Sequence, residues 1–433
     1  VSKNWIFFFS ILIAIAWMTA SIIFSLPWLS DLSNIFGTAF AIFAITFIAY
    51  IPGFTNFFMA SSMVMAKRKV YPPLEQYPPI SVLIAAYNEE STIRSTLVSI
   101  LDARYKGSFE VIVVSDGSTD RTAEIVDRFS LHDKRVRIVD LKKNAGKAAA
   151  LTEGLKHVTN DLVVTIDADT TFHRNALDKI VERYECDKDN VAAVAGAIIV
   201  KNIKESFITR LQAWDYFFGI SAVKRTQGLY DGVLVAQGAF SLYRKDVLEE
   251  CGGWQDTVGE DIVLSWSMLS KGYRILHAEE AIAETNAPAT VRQFWKQRAR
   301  WARGLVEALR AHGTELATKR RLSTLFIWWN FLFPVLDFVY TFIFIPGVLI
   351  AIFLHIYWIA GIYTLLVLPL ALVINMVVNY RQYMTLRDQG IYLEGNKFGL
   401  VMYILFYGAI MIPSCVYGYV VEWFKMEKKW GTK

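Results

Sequence analysis

The sequence predicts an α/β domain with a mostly parallel sheet, set between apolar helical segments long enough to cross a membrane. Charged residues make up only 20% of the 433 and apolar ones 54%, whereas an ordinary soluble chain carries about 25% charged residues. The apolar residues concentrate toward the two ends of the chain. Between them, short β-rich runs alternate with helical stretches, which is the pattern of βαβ units.

The first apolar run, Trp5 to Trp28, outlasts the roughly 7–15 apolar residues of a signal-peptide core, and a second, Ile35 to Met59, follows it. Each is long enough to span a bilayer as a helix, so residues 1–66 are expected to form two N-terminal transmembrane helices. The linker between them holds Asp31 and no basic residue, while Lys67, Arg68 and Lys69 follow the second run. The positive-inside rule then puts the linker outside and the next domain in the cytoplasm. The chain is thus expected to be a multi-pass protein of the inner or plasma membrane, in contact with its lipids. Pro72, Pro73, Pro78 and Pro79 mark residues 67–79 as a linker.

From Ile80 the runs SVLIAAY, VIVVSDG, VRIVDL, LVVTIDAD and VAAVAGAIIV read as strands, giving a domain over residues 80–289. Ligands of such sheets bind beyond the carboxyl ends of the strands, where Asn88, Asp116 and Asp169 fall. Residues 290–322 are expected as amphipathic interface helices, and residues 323–424 as three or four further transmembrane helices. The late apolar runs are Leu325 to Leu354, Tyr357 to Val378 and Phe398 to Trp423. The first contains Pro334 and Pro346 and is long enough to form a short hairpin, which would return the C-terminus to the cytoplasm.

Net charge is +5, and the clusters Lys67–Lys69 and Lys319–Arg321 flank apolar segments, so the basic residues read as topological signals and no nucleic-acid partner is expected. Cys186, Cys251 and Cys415 have no disulfide or metal spacing, which suits a reducing compartment. The six histidines, His277 among them, are scattered without ligand spacing.

Asp167-Ala168-Asp169 closes the LVVTI run. Two carboxylates there can converge on a hard cation, Mg²⁺ or Mn²⁺, or simply form a solvated turn. Ala86-Tyr87-Asn88-Glu89 ends the first strand, and Ser115 to Asp120 ends the second. Asp116 can accept hydrogen bonds from a base or ribose edge, Gly117 permits a tight turn, and Ser118 or Asp120 can cap the next helix. Gly146-Lys147 opens a helix and suits an anion or a plain helix start. Glu260 and Asp261, after Gly259, fit either a helix cap or a base for an acceptor hydroxyl. Gln297, Arg300 and Trp301 share one helix face. They offer a stacking surface and a diphosphate fork, or the polar edge of an interfacial helix.

In order, AAYNEE, SDGSTD, NAGKAAAL, DAD, GED and QRARW, followed by membrane segments, resemble the processive family 2 glycosyltransferases. These include cellulose, chitin, hyaluronan and poly-N-acetylglucosamine synthases. The resemblance covers Ile80 to Gly313 and the flanking spans. It implies an α/β GT-A fold, a Rossmann-like mixed sheet in a cytoplasmic domain joined to a helical transmembrane domain. It also implies a divalent metal and an inverting reaction without covalent intermediate.

The roles implied are a nucleotide pocket of Ala86, Tyr87, Glu89, Asp116, Lys147 and Asp167, with Asp116 at the uridine. Asp167 and Asp169 serve the metal. Asp261 is the base, with Glu260 beside it. Gln297, Arg300, Trp301, Gln237 and Gly238 hold the diphosphate and the acceptor sugar. Gln237-Gly238 stands where relatives often carry Ser-Gly or Thr-Gly. The stretches AVKRTQGLY and FWKQRARWARG resemble poly-N-acetylglucosamine synthases, while Trp430, Gly431 and Thr432 resemble the gating tail of hyaluronan and chitin-oligosaccharide synthases, placing such a tail at residues 425–433. Both groups imply UDP-N-acetylglucosamine as donor and a growing polysaccharide as acceptor, and a small accessory membrane subunit is a further candidate partner. The competing expectations are a non-processive enzyme charging a lipid carrier, a β-glucan synthase using UDP-glucose, and a transporter with a nucleotide-sensing domain.

Overall fold

The computed structural model describes residues 2–67, 69–361, 373, 380, 383, 384, 387 and 396–426. They fall into two units, one of Val1–Arg68, Trp295–Ala302 and Leu325–Met426, the other built mainly of Lys69–Phe294 and Arg303–Thr324.

The second unit is an α/β domain on one eight-stranded sheet. Its strands are β1 (Ile80–Ala86), β2 (Phe109–Asp116), β3 (Val136–Leu141), β4 (Leu162–Ile166), β5 (Thr171–Phe172), β6 (Val191–Val200), β7 (Phe240–Arg244) and β8 (Arg274–Thr285), in the order β3-β2-β1-β4-β7-β6-β8-β5. The first four pair in parallel, as the runs predict. Val111 to Val114 of β2 are fully buried on both faces, the signature of a parallel strand covered on either side. Helices Ile93–Leu101, Thr122–His132 and Lys147–Leu155 supply the crossovers. Gly154 admits the last of these onto the sheet, since a Cβ there would lie 2.5 Å from Leu83 Cδ1.

Beyond β4 the sheet becomes mixed. β7 runs antiparallel to both β4 and β6, β6 pairs in parallel with β8, and β5 is antiparallel to β8. The expectation of a mostly parallel sheet holds for the first half only. β5, β7 and β8 lack the uninterrupted Val/Ile runs that mark the others.

Among the described residues the other unit holds four helices long and apolar enough to cross a membrane: Lys3–Phe24, Thr38–Met65, Thr324–Leu354 and Lys397–Trp423. Only 17–22% of the apolar window of each is buried inside the protein, so most of that surface needs an apolar surrounding. The first two pack through Trp17 stacked on Phe57 at 4.1 Å and Ser62 Oγ donating to Ser10 Oγ at 3.0 Å. The segment between them is itself a helix, Leu26–Phe36.

Thr324–Leu354 is one helix, not the expected hairpin. Pro346 stands in the first turn after a π-type turn at Tyr340–Phe344, where a missing N–H costs little, and the chain does not reverse. Most of the expected span Tyr357 to Val378 and the tail residues Trp430, Gly431 and Thr432 lie outside the described residues, as does the side on which the chain ends.

Helix Val291–Ala308 opens with a capping box, Thr290 with Gln293. Its last turns pack on the α/β unit at a contact of two glycines: a Cβ on Gly304 would sit 2.7 Å from Gly259 Cα. Glu307 Oε2 accepts the Gly259 N–H there at 3.0 Å. Gly304→Ala is expected to destabilise the chain by about 1–3 kcal/mol through overpacking against backbone that cannot rotate away. A thermal-unfolding midpoint equal to the parent's in the same detergent would refute so close a contact.

Candidate active site

Three loops at the carboxyl ends of β1, β2 and β3 interlock. Asn88 adopts φ +54°, a left-handed conformation that asparagine tolerates better than most residues. Its Oδ1 accepts the Thr119 N–H at 2.8 Å, and Glu89 N–H donates to Thr122 Oγ1 at 2.8 Å. Ser118 Oγ donates to Ala86 O at 3.4 Å. The AAYNEE loop is thereby tied to SDGSTD, with Tyr87 half-buried between Ala86 and Asn88. Asp120 accepts the N–H groups of Thr122 at 2.9 Å and Glu90 at 3.1 Å, as a helix-starting acid does. Against some desolvation, these bonds hold its carboxyl below the usual range.

Asp116 is 1% exposed. Its two oxygens accept the N–H groups of Ala145 at 2.8 Å and Gly146 at 2.9 Å. In this structure the carboxylate pins the loop before Lys147, a duty that the sequence does not advertise. Gly117, at φ +64°, leaves no room for a side chain, since a Cβ would meet Asn144 N at 2.5 Å.

The pinned loop delivers Lys147 into a group of acids. Its Nζ lies 2.6 Å from Asp167 Oδ1 and 3.4 Å from Glu260 Oε1. Burial works against the ammonium, but the charges of Asp167 and Glu260 overcome it and hold its pKa well above the ordinary lysine value. A Cβ on Gly238 would lie 2.7 Å from that same Nζ, and Gly238 N–H donates to Asp261 Oδ2 at 3.4 Å. Asp261 Oδ1 also accepts the Ile262 N–H at 2.8 Å, so it braces the start of helix Glu260–Ser270 and faces the glycine at once. Lys147, Asp167, Gly238, Glu260 and Asp261 therefore meet in one place.

Asp169 follows on the same strand end, with Oδ1 accepting from Thr170 Oγ1 at 3.3 Å and Thr285 Oγ1 at 3.4 Å. Among the described residues no three His, Cys, Asp or Glu side chains gather tightly enough to hold an ion alone. Asp167 and Asp169 supply hard oxygens, and Mg²⁺ characteristically takes one or two carboxylates and completes its shell with phosphate and water. The donor set fits such an ion.

Gln297, Arg300 and Trp301 lie on helix Val291–Ala308, in the stretch Trp295–Ala302 that groups with the apolar helices. Arg298, which the motif's spacing does not single out, is 4% exposed and lies over the Trp301 ring at 4.2 Å and the Tyr407 ring at 5.8 Å. Trp301 itself is 37% exposed.

Two further groups escape sequence reasoning. Lys224, on helix Val223–Leu229, and His277, on β8, are each 8% exposed. Burial pushes the Lys224 amine down to about 7 against the opposing charge of Asp261. Burial, and then the charge of Lys224, pushes the His277 imidazole down to about 3. No spacing rule marks either. The helix that carries Lys224 also holds Arg225, Thr226 and Gln227, so its composition does not single the lysine out.

Residues 81–252 match the family described as Glycosyl transferase family 2. Over 243 residues the chain is 36% identical to the poly-β-1,6-N-acetyl-D-glucosamine synthase of Staphylococcus aureus strain COL, covering 56% of this chain and 58% of that one. It is 37% identical over 237 residues to the protein of the same name from Staphylococcus epidermidis, covering 54% and 56%. The chain thus spans somewhat more than half the length of these curated relatives. Among solved structures, a mannosyltransferase of Pyrobaculum calidifontis in complex with GDP-Man and Mn²⁺ superposes with a TM-score of 0.63 at 20% identity, covering 89% of this chain and 99% of that one. That likeness concerns the fold, a GT-A-like mixed sheet. Residues 81–252 thus match glycosyl transferase family 2 and lie on that sheet, in a chain that also carries helices apolar enough to cross a membrane.

Proposed function

We propose that the protein is an inverting, processive membrane glycosyltransferase that polymerises β-1,6-linked N-acetylglucosamine from UDP-N-acetylglucosamine. The observation that carries this reading is the convergence of Lys147, Asp167, Glu260 and Asp261 around Gly238. The printed names of the staphylococcal relatives support the choice of sugar and linkage.

In this reading Ala86, Tyr87, Glu89 and Asp116 line the nucleoside end, and Lys147 and Asp167 the diphosphate. Asp261 accepts the proton of the acceptor hydroxyl as that oxygen attacks the anomeric carbon from the face opposite the phosphate. The bond from anomeric carbon to phosphate oxygen breaks, and UDP departs with the electron pair. The configuration inverts in one displacement. The Lys147 ammonium neutralises charge that grows on the departing diphosphate. A divalent ion on Asp167 and Asp169 adds Lewis-acid stabilisation of the same leaving group when bound. Gly238 leaves open the space between Lys147 and Asp261 where donor and acceptor meet. Gln297, Arg300 and Trp301 hold the diphosphate and the acceptor sugar, with Gln237 on the acceptor side. The domain faces the cytoplasm, the apolar helices lie in lipid and guide the product outward, and residues 425–433 act as a gating tail.

Asp261→Asn is expected to lower incorporation of labelled sugar by roughly 10²–10⁴-fold while UDP still binds. Turnover near the parent rate would dismiss Asp261 as the base. Chelation with EDTA is expected to abolish UDP release, and added Mg²⁺ or Mn²⁺ to restore it. In Asp169→Asn the metal concentration for half-maximal rate should rise at least tenfold. Undiminished release in EDTA would rule out the metal assignment.

A further inference from the structure

At one end of the apolar helices lies a cavity of about 550 Å³, walled by Trp28, Asp31, Asn34, Tyr357 and Trp358. Its volume is within the roughly 300–1,000 Å³ of ordinary small-molecule sites. Two segments build it. Helix Leu26–Phe36 carries Trp28, Asp31, Leu32 and Ile35 at spacings of three and four, which puts them on one face. Leu32 is buried in an apolar cluster with Ile359, while Asp31 and Asn34 are exposed. In the second segment, His355 ends helix Thr324–Leu354 in a left-handed conformation, φ +57°, and the chain doubles back. A Cβ on Gly347 would lie 2.4 Å from Ile359 Cβ, so the returning segment packs on the helix it has just left. Trp28 Nε1 donates to the Trp358 carbonyl at 2.8 Å, and Phe36 stands edge-on to the Trp358 ring at 5.4 Å. These contacts fix both walls and leave ring faces open, Tyr357 being 62% and Trp358 42% exposed. The Asp31 carboxylate, the Asn34 amide and the Tyr357 hydroxyl make no hydrogen bond or ion pair among the described residues.

The lining is selective. Asp31 is the only charged residue between Lys3 and Lys67, and no Lys or Arg occurs from Ser323 to Tyr380. An anion would therefore meet a carboxylate and no cation. A zwitterionic lipid headgroup would offer an amine to Asp31 but bring its phosphate with it. A purely apolar ligand would strip water from the carboxylate and the amide without replacing it. Trp and Tyr at helix ends also anchor helices at the membrane interface. Rings that do only that face lipid, whereas Trp28 and Trp358 share a cavity with Asp31 and Asn34. A sugar ring meets both demands. Its C–H face covers an aromatic ring, and its hydroxyls donate to the carboxylate and exchange hydrogen bonds with the amide and the phenol.

Helices Thr38–Met65 and Thr324–Leu354 have 28 and 31 residues, about 40 Å or more at 1.5 Å per residue, against a hydrocarbon layer of about 30 Å. The cavity adjoins the Thr38 and Leu354 ends of these helices. The chain runs on into residues 69–294 from the Met65 end and returns through residues 303–324 to the Thr324 end. We propose that the cavity binds a neutral saccharide, and that it holds the polymer after its leading end has crossed the membrane. The saccharide site stands on the cavity itself, and the holding role rests on the glycosyl-transfer reading with its cytoplasmic domain. Held there, the emerged chain resists release, so the site acts on product length and not on the transfer step.

The test uses the full chain in detergent micelles with a diazirine-bearing β-1,6-linked tetramer of N-acetylglucosamine, labelled peptides being identified by mass spectrometry. Residues 26–36 and 355–361 should be labelled, and the unmodified tetramer should displace the label. Trp358→Ala and, separately, Asp31→Ala should each raise the concentration for half-maximal labelling there about tenfold, as expected for loss of one stacking face or one charged acceptor. Asp31→Ala removes no contact within the described residues, and Trp358→Ala keeps the carbonyl that Trp28 holds. In both variants UDP release should stay at the parent rate while the polymer shortens. Labelling confined to residues 69–294, or labelling of residues 26–36 that neither variant weakens, overturns the site. Displacement by glycerophosphoethanolamine and not by the tetramer overturns it in favour of a lipid headgroup. Weakened labelling with products of parent length removes the holding role. UDP release from UDP-N-acetylglucosamine by the parent, measured in parallel, separates the failures. Turnover without labelling removes the cavity site alone, and labelling without turnover removes the glycosyl-transfer reading and the holding role with it.

Discussion

Carboxylates gathered at one edge of a sheet repel one another, and the site tolerates Asp167, Asp169, Glu260 and Asp261 together because Lys147 stands among them. Two like charges about 6 Å apart cost on the order of 3 kcal/mol at an effective dielectric near 20. That is a large share of a domain's net stability of about 5–15 kcal/mol. The lysine offsets it only because its backbone is held in place. Asp116 binds the N–H groups of Ala145 and Gly146, which fixes where helix Lys147–Leu155 begins and where its first side chain points. A carboxylate at the end of one strand therefore determines the position of the cation that makes the carboxylates of other elements bearable.

Close backbone approach is the second half of that arrangement. Gly117 lets the Asn144 backbone come within contact of β2, and Gly238 keeps the volume beside Lys147 clear. The facing glycines Gly259 and Gly304 bring the last turns of helix Val291–Ala308 onto the start of helix Glu260–Ser270. Glu307 satisfies the Gly259 N–H at that contact, so the turn that presents Glu260 and Asp261 is braced by a helix from far along the chain. At these positions a methyl group is excluded by distance alone.

The legible part of the fold is the part that announces itself locally. β1 to β4 are dense in Val and Ile, and Asn88, Asp116, Asn144 and Asp167 stand at their ends or within three residues beyond, so both the strands and their loops can be read from the sequence. β7 and β8 are largely buried yet carry polar and charged residues such as Arg244, Glu279 and Glu280, and tertiary pairing, not propensity, makes them strands. The same limit applies to the site. Asp116 reads from the sequence as a strand-end acid open to a base or ribose edge, and its hold on the loop before Lys147 is not legible there because those partners lie 29 and 30 positions away. Lys224 and His277 are invisible for a related reason: their burial follows from tertiary packing and from no local spacing. The hairpin expected from Pro334 and Pro346 failed because a π-type turn accommodates the second proline within a continuous helix.

The change of strand direction at β4 explains why Gln237 and Gly238 come together with the acids that end the parallel strands. In the parallel half, each strand delivers its carboxyl end to the same edge, and that edge collects Asp116, Asp167 and Asp169 from successive βα turns. An all-parallel continuation would have delivered only more loops of the same kind. β7 instead runs antiparallel, with Phe240 opposite Ile166, so the residues that precede β7 lie beside those that follow β4. Gln237 and Gly238 thereby reach Asp167 and Lys147 from the opposite chain direction. Gln237 in turn anchors on the Gly196 carbonyl of β6, where the pairing of β6 with β8 slips and also receives His277 from β8. In the proposed reading the parallel half bears the residues for the nucleotide diphosphate and the mixed half those for the acceptor, and Asp261, bonded to Gly238, belongs with both.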